Sequence, residues 1–144
     1  MKKRYFVLFV IMAIVILCNV TGCNINYADD YDISQVHIHT SPISSRIYVL
    51  DEEDKINDFF SKTQLFEVNY KHIADDGFDP MISIYGEDKG VEIQIVKNDG
   101  EIIYYYVSKD GVAYLKSDET IYYTDEDAVD YHKLLALIEY NQNY

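Results

Sequence analysis

The chain has 144 residues, of which 25 are acidic and 12 are basic, and a formal net charge of −13 at pH 7. This length predicts a single domain, and the acidic balance argues against nucleic acid and against anionic lipid surfaces as partners. The same balance permits a basic protein or peptide as a partner, although solubility alone also explains an acidic surface.

The first 22 residues have the composition of a secretory signal peptide. Three basic residues, Lys2 to Arg4, precede an uncharged apolar run of 14 residues, Tyr5–Cys18. A helix of that length reaches about 21 Å, whereas the hydrocarbon core of a bilayer is about 30 Å thick. We therefore predict a cleaved leader over residues 1–22 in preference to a spanning helix.

The leader ends in Val20-Thr21-Gly22-Cys23, which resembles the lipobox of bacterial lipoproteins. The resemblance implies that a diacylglyceryl group is attached to the Cys23 thiol and that the chain is cut between Gly22 and Cys23. Because two acyl chains anchor a protein stably, the expected location is the extracytoplasmic face of the cell membrane. The alternative is an ordinary cysteine behind a normal signal peptide.

Cleavage would change the composition of the chain. It would leave nine basic and 25 acidic residues, a formal charge of −16, in a mature part of 122 residues. Cys18 lies in the leader and Cys23 is the predicted lipid site, so no thiol remains for a disulfide, a zinc site or a nucleophile. We predict a lipidated N-terminus and tether over residues 23–32 and one domain over residues 33–144.

Eight short runs that alternate apolar with polar residues, or that are rich in β-branched and aromatic residues, predict strands. In chain order they are Gln35–Thr40, Arg46–Leu50, Leu65–Tyr70, Met81–Tyr85, Val91–Lys97, Ile102–Val107, Val112–Leu115 and Ile121–Tyr123. Gly90, Gly100 and Gly111 lie between the later runs and can supply the positive φ of tight hairpin turns. The spacing predicts an antiparallel meander in which Ile102–Val107, apolar on both faces, is a central strand.

Two helices are predicted, at about 51–63 and 125–140, both packed on the same face of the sheet in an α+β fold. Asp51 is the predicted N-cap of the first helix and Thr124 that of the second. The residues expected to face the core at helical spacing are Ile56, Phe59, Phe60 and Thr63 in the first helix and Ala128, Tyr131, Leu135 and Ile138, with Leu134 beside them, in the second.

Tyrosines form the main candidate binding site. Tyr104, Tyr105 and Tyr106 lie on one predicted strand and Tyr122 and Tyr123 on another, and alternate residues of a strand face opposite sides of the sheet. Exposed tyrosines are good anchors for protein or carbohydrate partners. The alternative is that these residues are core residues or cross-strand packing pairs.

A metal site has weaker support. His37 and His39 are two residues apart on a predicted strand, so both project from one face and could contribute ligands. A third ligand such as His72, His132 or a carboxylate would be needed, and strand alternation alone explains the pair. The acidic loop Asp75–Asp79 does not have the spacing of a calcium loop. We predict no metal.

The sequence contains no G-x-S-x-G, H-E-x-x-H, phosphate-loop or dinucleotide-binding motif, and we predict a protein that is not an enzyme and needs no cofactor. The leading hypothesis is a membrane-anchored extracytoplasmic binding or accessory domain with a basic envelope protein or peptide as its partner. The alternatives are an inhibitor or immunity protein against a secreted basic enzyme or peptide, and a metal-dependent enzyme. The order of strand, helix, meander and final helix resembles small uncharacterised lipoprotein domains of Gram-positive bacteria, a resemblance of layout and leader that assigns no site residues.

Overall fold

A computed structural model describes residues 25–40, 47–80 and 90–141. The leader, Cys23 and the predicted strand Met81–Tyr85 lie outside the described residues. In chain order, the elements are α1 (Tyr27–Asp30), β1 (Ile33–Thr40), β2 (Ile47–Leu50), α2 (Glu53–Thr63), β3 (His72–Ile73), β4 (Gly90–Lys97), β5 (Ile102–Ser108), β6 (Ala113–Ser117), β7 (Thr120–Tyr123) and α3 (Tyr131–Asn141). None of the helices in the described ranges is long and apolar enough to cross a membrane.

The strands form one antiparallel sheet in the order β2-β1-β4-β5-β6-β7-β3. Consecutive strands from β4 to β7 are spatial neighbours, which is the predicted meander. β5 is the fourth of the seven strands, so the prediction that Ile102–Val107 is central is confirmed. The predicted α+β class is confirmed as well.

Two Asp-Gly pairs form the first two turns of the meander. Gly100 and Gly111 have φ angles of +89° and +73°, which a residue with a side chain rarely adopts. The Gly100 amide donates to the Lys97 carbonyl at 3.0 Å, and the Gly111 amide donates to the Ser108 carbonyl at 3.0 Å. The prediction of Gly90 as a turn glycine is wrong, because Gly90 lies in β4, paired with Ser108.

The core lies on one face of the sheet. Val91, Ile93 and Ile95 of β4 point into it, as their alternation predicts, and they join one cluster with the apolar residues of α2 and α3. In α2 the buried residues are the four that were predicted, Ile56, Phe59, Phe60 and Thr63. Burial of these side chains supplies most of the driving force for packing the helices on the sheet.

The ends of α2 are set by the backbone. The helix has Glu52 at its N-cap position, with no side-chain capping bond, so the prediction of Asp51 as the cap is wrong. Gln64 ends the helix in the left-handed conformation, with φ of 56°, and its amide donates to the Phe60 carbonyl at 3.0 Å. This αL ending satisfies a carbonyl of the last turn.

The segment Leu65–Tyr70 forms turns, and the prediction of a strand there is wrong. Leu65 is fully buried in the core, and the Tyr70 hydroxyl donates to the Leu65 carbonyl at 2.9 Å. The chain therefore folds back on itself and does not extend. The next pairing begins later, where β3 pairs with β7 at residues for which the sequence predicts no strand.

Helix α3 begins at Tyr131, later than the predicted start near residue 125. Thr124 does not cap it, because the Thr124 hydroxyl accepts a hydrogen bond from the Ala113 amide at 3.0 Å. Asp130 has the capping role, since its carboxylate accepts from the Lys133 amide at 3.0 Å. The correct cap lies six positions beyond the predicted one.

This later start changes the face that α3 buries. Asp127 has a left-handed φ of 57°, and its amide donates to the Asp110 carbonyl at 2.9 Å, so the chain is not helical there. Val129 and Leu134 are buried, whereas the predicted core residue Ala128 is exposed. The predictions of Tyr131 and Ile138 as core residues are confirmed.

The folded domain begins earlier than the predicted boundary at residue 33. Tyr27 and Ala28 of α1 are buried in the core, and the Ala28 amide donates to the Asn57 side-chain carbonyl at 3.0 Å. The Asn26 side chain caps α1 by accepting from the Asp29 amide at 3.3 Å. Residues from Tyr27 onward therefore belong to the domain and differ from the predicted tether.

Candidate functional site

The sheet face that points away from the core cluster, called the outer face below, carries a row of aromatic side chains. Tyr106 of β5 lies opposite Tyr114 of β6, Tyr114 lies opposite Tyr123 of β7, and Tyr123 lies opposite His72 of β3. Residues directly opposite in antiparallel strands project from the same face. The four rings therefore form a row across four neighbouring strands.

Three rings of this row, those of Tyr114, Tyr123 and His72, are in contact. The ring centroids of Tyr114 and Tyr123 are 5.8 Å apart, and those of Tyr123 and His72 are 4.9 Å apart. Phe78, from the loop after β3, stacks on Tyr114 with centroids 5.6 Å apart and planes at 30°. These distances are in the range of favourable aromatic pairs. The ring of Tyr104 is nearly parallel to that of Tyr106, with centroids 6.5 Å apart. We call the six residues His72, Phe78, Tyr104, Tyr106, Tyr114 and Tyr123 the aromatic strip.

The predicted tyrosine clusters divide between the two faces. Tyr105 is buried in the core, where it contacts Phe66 with ring centroids 5.8 Å apart, so the packing interpretation holds for it. Tyr122 lies on the same side as Tyr105, opposite Leu115. Tyr104, Tyr106 and Tyr123 lie on the outer face. The structure therefore separates the five candidates into two on the core side and three in the aromatic strip.

Accessibility differs within the aromatic strip. Tyr104, Tyr114 and Tyr123 are half-buried, and Phe78 is 38% exposed, whereas Tyr106 is only 4% exposed. Tyr106 can therefore support its neighbours but offers little surface to a partner. The rings at both ends of the strip remain accessible, which an anchoring side chain requires.

Three members of the strip were not predicted. Tyr114 alternates with Ala113 and Leu115, and that alternation indicates a face opposite to theirs. Phe78 lies in a polar loop with no periodicity, and the sequence indicates His72 only as a possible metal ligand. The positions of His72 and Phe78 depend on the pairing of β3 with β7, which local sequence patterns do not reveal.

A charged cluster fixes the edge of the sheet beside the strip. The Asp125 carboxylate accepts hydrogen bonds from Lys71 Nζ at 2.5 Å and from His72 Nε2 at 2.7 Å. The Lys71 hydrogen bond, followed by the His72 hydrogen bond, lowers the pKa of Asp125 below its ordinary value of 3.8. Because the cluster is exposed, its contribution to stability is small. Its main effect is to orient the His72 ring on Tyr123.

His37 and His39 lie on the outer face of β1, and the structure brings no third histidine to them within the described residues. His37 Nε2 contacts the side-chain oxygen of Gln35 at 3.1 Å, and His39 lies opposite Glu92. His72 is five strands away in the sheet order, or about 24 Å at the usual strand spacing. Across residues 25–40, 47–80 and 90–141, no group of three or more His, Cys, Asp or Glu residues could hold a metal ion.

Because of two tyrosines on the core side, the protein is less stable at alkaline pH. Burial raises the pKa of Tyr105 from 10.0 to about 12, with a smaller effect of Tyr31. Burial also raises the pKa of Tyr70 above its usual range, with a smaller effect of Tyr105. The neutral phenols are thus favoured in the folded state. Their stabilisation is complete below about pH 10 and is lost as the pH rises through the folded-state pKa values.

We expect the far-ultraviolet circular dichroism to be unchanged at pH 10, the ordinary pKa of a phenol, when it is followed together with tyrosinate absorbance at 295 nm. The buried phenols should ionise only at higher pH, together with loss of secondary structure. The variant Tyr105→Phe should remove one late-titrating group. Ionisation of every tyrosine in one step near pH 10, with the fold intact, would contradict the burial of these phenols.

The described part of the outer face combines accessible aromatic rings, phenolic hydroxyl groups and carboxylates. This chemistry suits non-covalent contacts with a macromolecular partner. In comparisons with known proteins, no family model, no curated protein and no solved structure matches this chain. Function is therefore inferred from the chain's own residues and their geometry.

Proposed function

We propose that the protein is a membrane-anchored, extracytoplasmic binding domain without catalytic activity, and that the aromatic strip contacts an envelope partner. The observation that carries the proposal is the row of contacting aromatic rings on the sheet face opposite the helices. Rings of this kind bring large rigid contact area at a low entropic penalty, and aromatic residues dominate the binding energy of many interfaces.

Exposed aliphatic residues also lie on the outer face at the opposite edge of the sheet. Ile47 and Val49 of β2 are 55% and 48% exposed, and they lie opposite His39 and His37 on the outer face. Accessible apolar groups rimmed by polar residues are characteristic of interaction sites. Apolar side chains are therefore accessible near both edges of this face.

The charge of the protein supports a basic partner. The part of the chain after the predicted leader has a formal charge of −16. Opposite charge on a partner accelerates association and disfavours acidic competitors. Because the effect is electrostatic, binding should weaken as the salt concentration rises.

The proposed anchor places the domain close to the bilayer. Cys23 precedes Tyr27, the first residue of α1, by four residues, which span at most about 14 Å when fully extended. A lipid on Cys23 would therefore hold the domain within reach of other proteins at the membrane surface. It would not allow the domain to cross a thick cell wall.

Metabolic labelling tests the anchor. We expect radioactive palmitate to be incorporated into the full-length chain and to be absent from the Cys23→Ser variant. Mass spectrometry of the protein extracted from cells should show a diacylglyceryl group on Cys23 at the N-terminus. An unmodified thiol, or an intact leader on a cytosolic species, would contradict this part of the proposal.

Crosslinking and affinity capture from membranes test the binding role. The variant Tyr104→Ala/Tyr123→Ala should capture at least about tenfold less of the partner than the wild type, which is the loss typical of interface anchors. Tyr31→Ala is the matched control, because Tyr31 is 40% exposed and stacks on Phe66 on the core side. Equal capture by all three proteins, or no captured partner at low salt, would contradict the proposal.

A further inference from the structure

A groove of about 500 Å³ lies at the end of the sheet where β3 meets β7. One wall is the loop that follows β3, in which the Phe78 amide donates to the Asp75 carbonyl at 3.0 Å and Gly77 has a φ of +84°. The other wall is the β6–β7 turn. The Ala74 amide donates to the Ile121 carbonyl at 2.9 Å, so the two walls are joined by a backbone hydrogen bond.

The groove contains accessible apolar surface and continues into the aromatic strip. Ile73 is 65% exposed and Phe78 is 38% exposed, and both line the groove. The Phe78 ring also stacks on Tyr114 of the strip. Ile73 lies opposite Tyr122, on the core side of the sheet edge, so Phe78 is the residue through which a partner on the strip reaches the groove.

The same groove carries unbalanced negative charge. The exposed carboxylates of Asp75, Asp76 and Glu119 line it. None of these three carboxylates belongs to an ion pair within the described residues. Carboxylates beside apolar surface are complementary to a cationic side chain that stands next to an apolar one.

We propose that this groove binds a short extended segment of a basic partner, in which an arginine alternates with an apolar residue. The inference rests on the proposed binding function and names the partner's chemistry. A guanidinium group can pair with two carboxylate oxygens and stack on an aromatic ring, and the groove offers carboxylates beside Phe78. Ile73 then covers the neighbouring apolar side chain. The carboxylates alone could bind a calcium ion, but such an ion would not use the exposed apolar side chains of Ile73 and Phe78.

Fluorescence anisotropy with a labelled hexapeptide of alternating arginine and leucine tests the proposal on the full-length protein in detergent. We expect binding that weakens at least about tenfold between 50 mM and 500 mM NaCl. The peptide with glutamate in place of arginine should not bind. The variant Asp75→Asn/Asp76→Asn/Glu119→Gln should weaken binding at least about tenfold, and Phe78→Ala at least about fivefold.

The matched control removes the same charge at a distance from the groove. Asp30→Asn/Asp51→Asn/Asp54→Asn neutralises three exposed acids near α1, β2 and α2, and β2 lies at the opposite edge of the sheet from β3. We expect it to weaken binding less than about threefold. Equal weakening by both triple variants would show non-specific attraction and overturn the proposal. Unchanged affinity of Phe78→Ala, or displacement of the peptide by micromolar calcium, would also overturn it.

Failure of the groove proposal can be distinguished from failure of the proposed binding function. If membrane capture depends on Tyr104 and Tyr123 while the groove variant binds both partner and peptide normally, the groove proposal fails and the binding function stands. If the peptide binds as expected but no partner is captured from membranes, the proposed binding function fails, and the proposal that the groove binds a basic peptide stands.

Discussion

Replacement of Phe60 by alanine is expected to lower the free energy of unfolding by about 3–5 kcal/mol, the usual range for a buried phenylalanine. The Phe60 side chain is 0% exposed. Its ring centroid lies 4.6 Å from that of Phe66, 5.2 Å from that of Phe59 and 5.9 Å from that of Tyr27. The substitution removes these contacts and leaves a cavity that rigid neighbours cannot fill. Urea denaturation followed by circular dichroism measures the loss.

Phe78→Ala is the matched control for this prediction. The chemical change is the same, but Phe78 lies on the outer face and is 38% exposed. We expect it to reduce the free energy of unfolding by only about 1 kcal/mol. Losses of equal size for Phe60→Ala and Phe78→Ala would contradict the assignment of the core to the helical side of the sheet. The small loss expected for Phe78→Ala also makes that variant suitable for binding experiments.

Gly111→Ala is expected to lower the free energy of unfolding by about 3 kcal/mol or more. Gly111 has a φ of +73°, and a Cβ atom there would lie 2.5 Å from the Val129 carbonyl oxygen and 3.0 Å from Asp127 Cα. The Val129 amide donates to the Gly111 carbonyl at 3.0 Å. A methyl group would therefore push the segment before α3 away from the turn between β5 and β6, because both colliding atoms belong to the backbone.

Gly100→Ala separates this collision from backbone strain. Gly100 has a similar φ of +89°, but no heavy atom of the described residues lies within 4 Å of the position that a Cβ atom would occupy. Only the left-handed backbone opposes the substitution, at about 1–2 kcal/mol. Thermal unfolding of the two variants under identical conditions gives the comparison. Equal destabilisation would show that the close approach of Val129 to Gly111 does not exist in solution.

Periodic features of the sequence were sufficient to predict the central part of the fold. Alternation in Val91–Lys97 and the Asp-Gly pairs at 99–100 and 110–111 predicted the meander, and both turns occur where predicted. The helical spacing of Ile56, Phe59 and Phe60 predicted the buried face of α2. These signals are local, and the tertiary structure agrees with them.

Several of the wrong predictions involve side chains whose partners are distant in sequence. Thr124 has the chemistry of an N-cap, but its hydroxyl accepts a hydrogen bond from Ala113 on a neighbouring strand. Leu65–Tyr70 has strand-like composition. Burial of Leu65 in the core and the hydrogen bond from the Tyr70 hydroxyl to the Leu65 carbonyl keep the segment from extending. The local sequence around Asn26 and Tyr27 predicts a tether, but the Asn57 side chain of α2 donates a hydrogen bond to the Asn26 side-chain oxygen and ties this segment to the domain.

The candidate site was predicted only in part. Because successive side chains of a strand face opposite sides of the sheet, the sequence correctly predicted that Tyr105 faces one side and that Tyr104 and Tyr106 face the other. The stacking of Phe78 on Tyr114 and the groove beside it depend on the pairing of β3 with β7. A two-residue strand leaves almost no periodic signal, so these features could not be inferred from the sequence.

Site-specific photocrosslinking in living cells tests directly whether the outer face of the sheet is the binding surface. p-Benzoylphenylalanine would be introduced at position 104 or 123, on the outer face, and at position 31, on the core side, each in the full-length chain. We expect a discrete crosslinked partner from positions 104 and 123 and none from position 31. Adducts from position 31 alone, or none from either outer-face position in correctly localised protein, would contradict the outer face of the sheet as the binding surface.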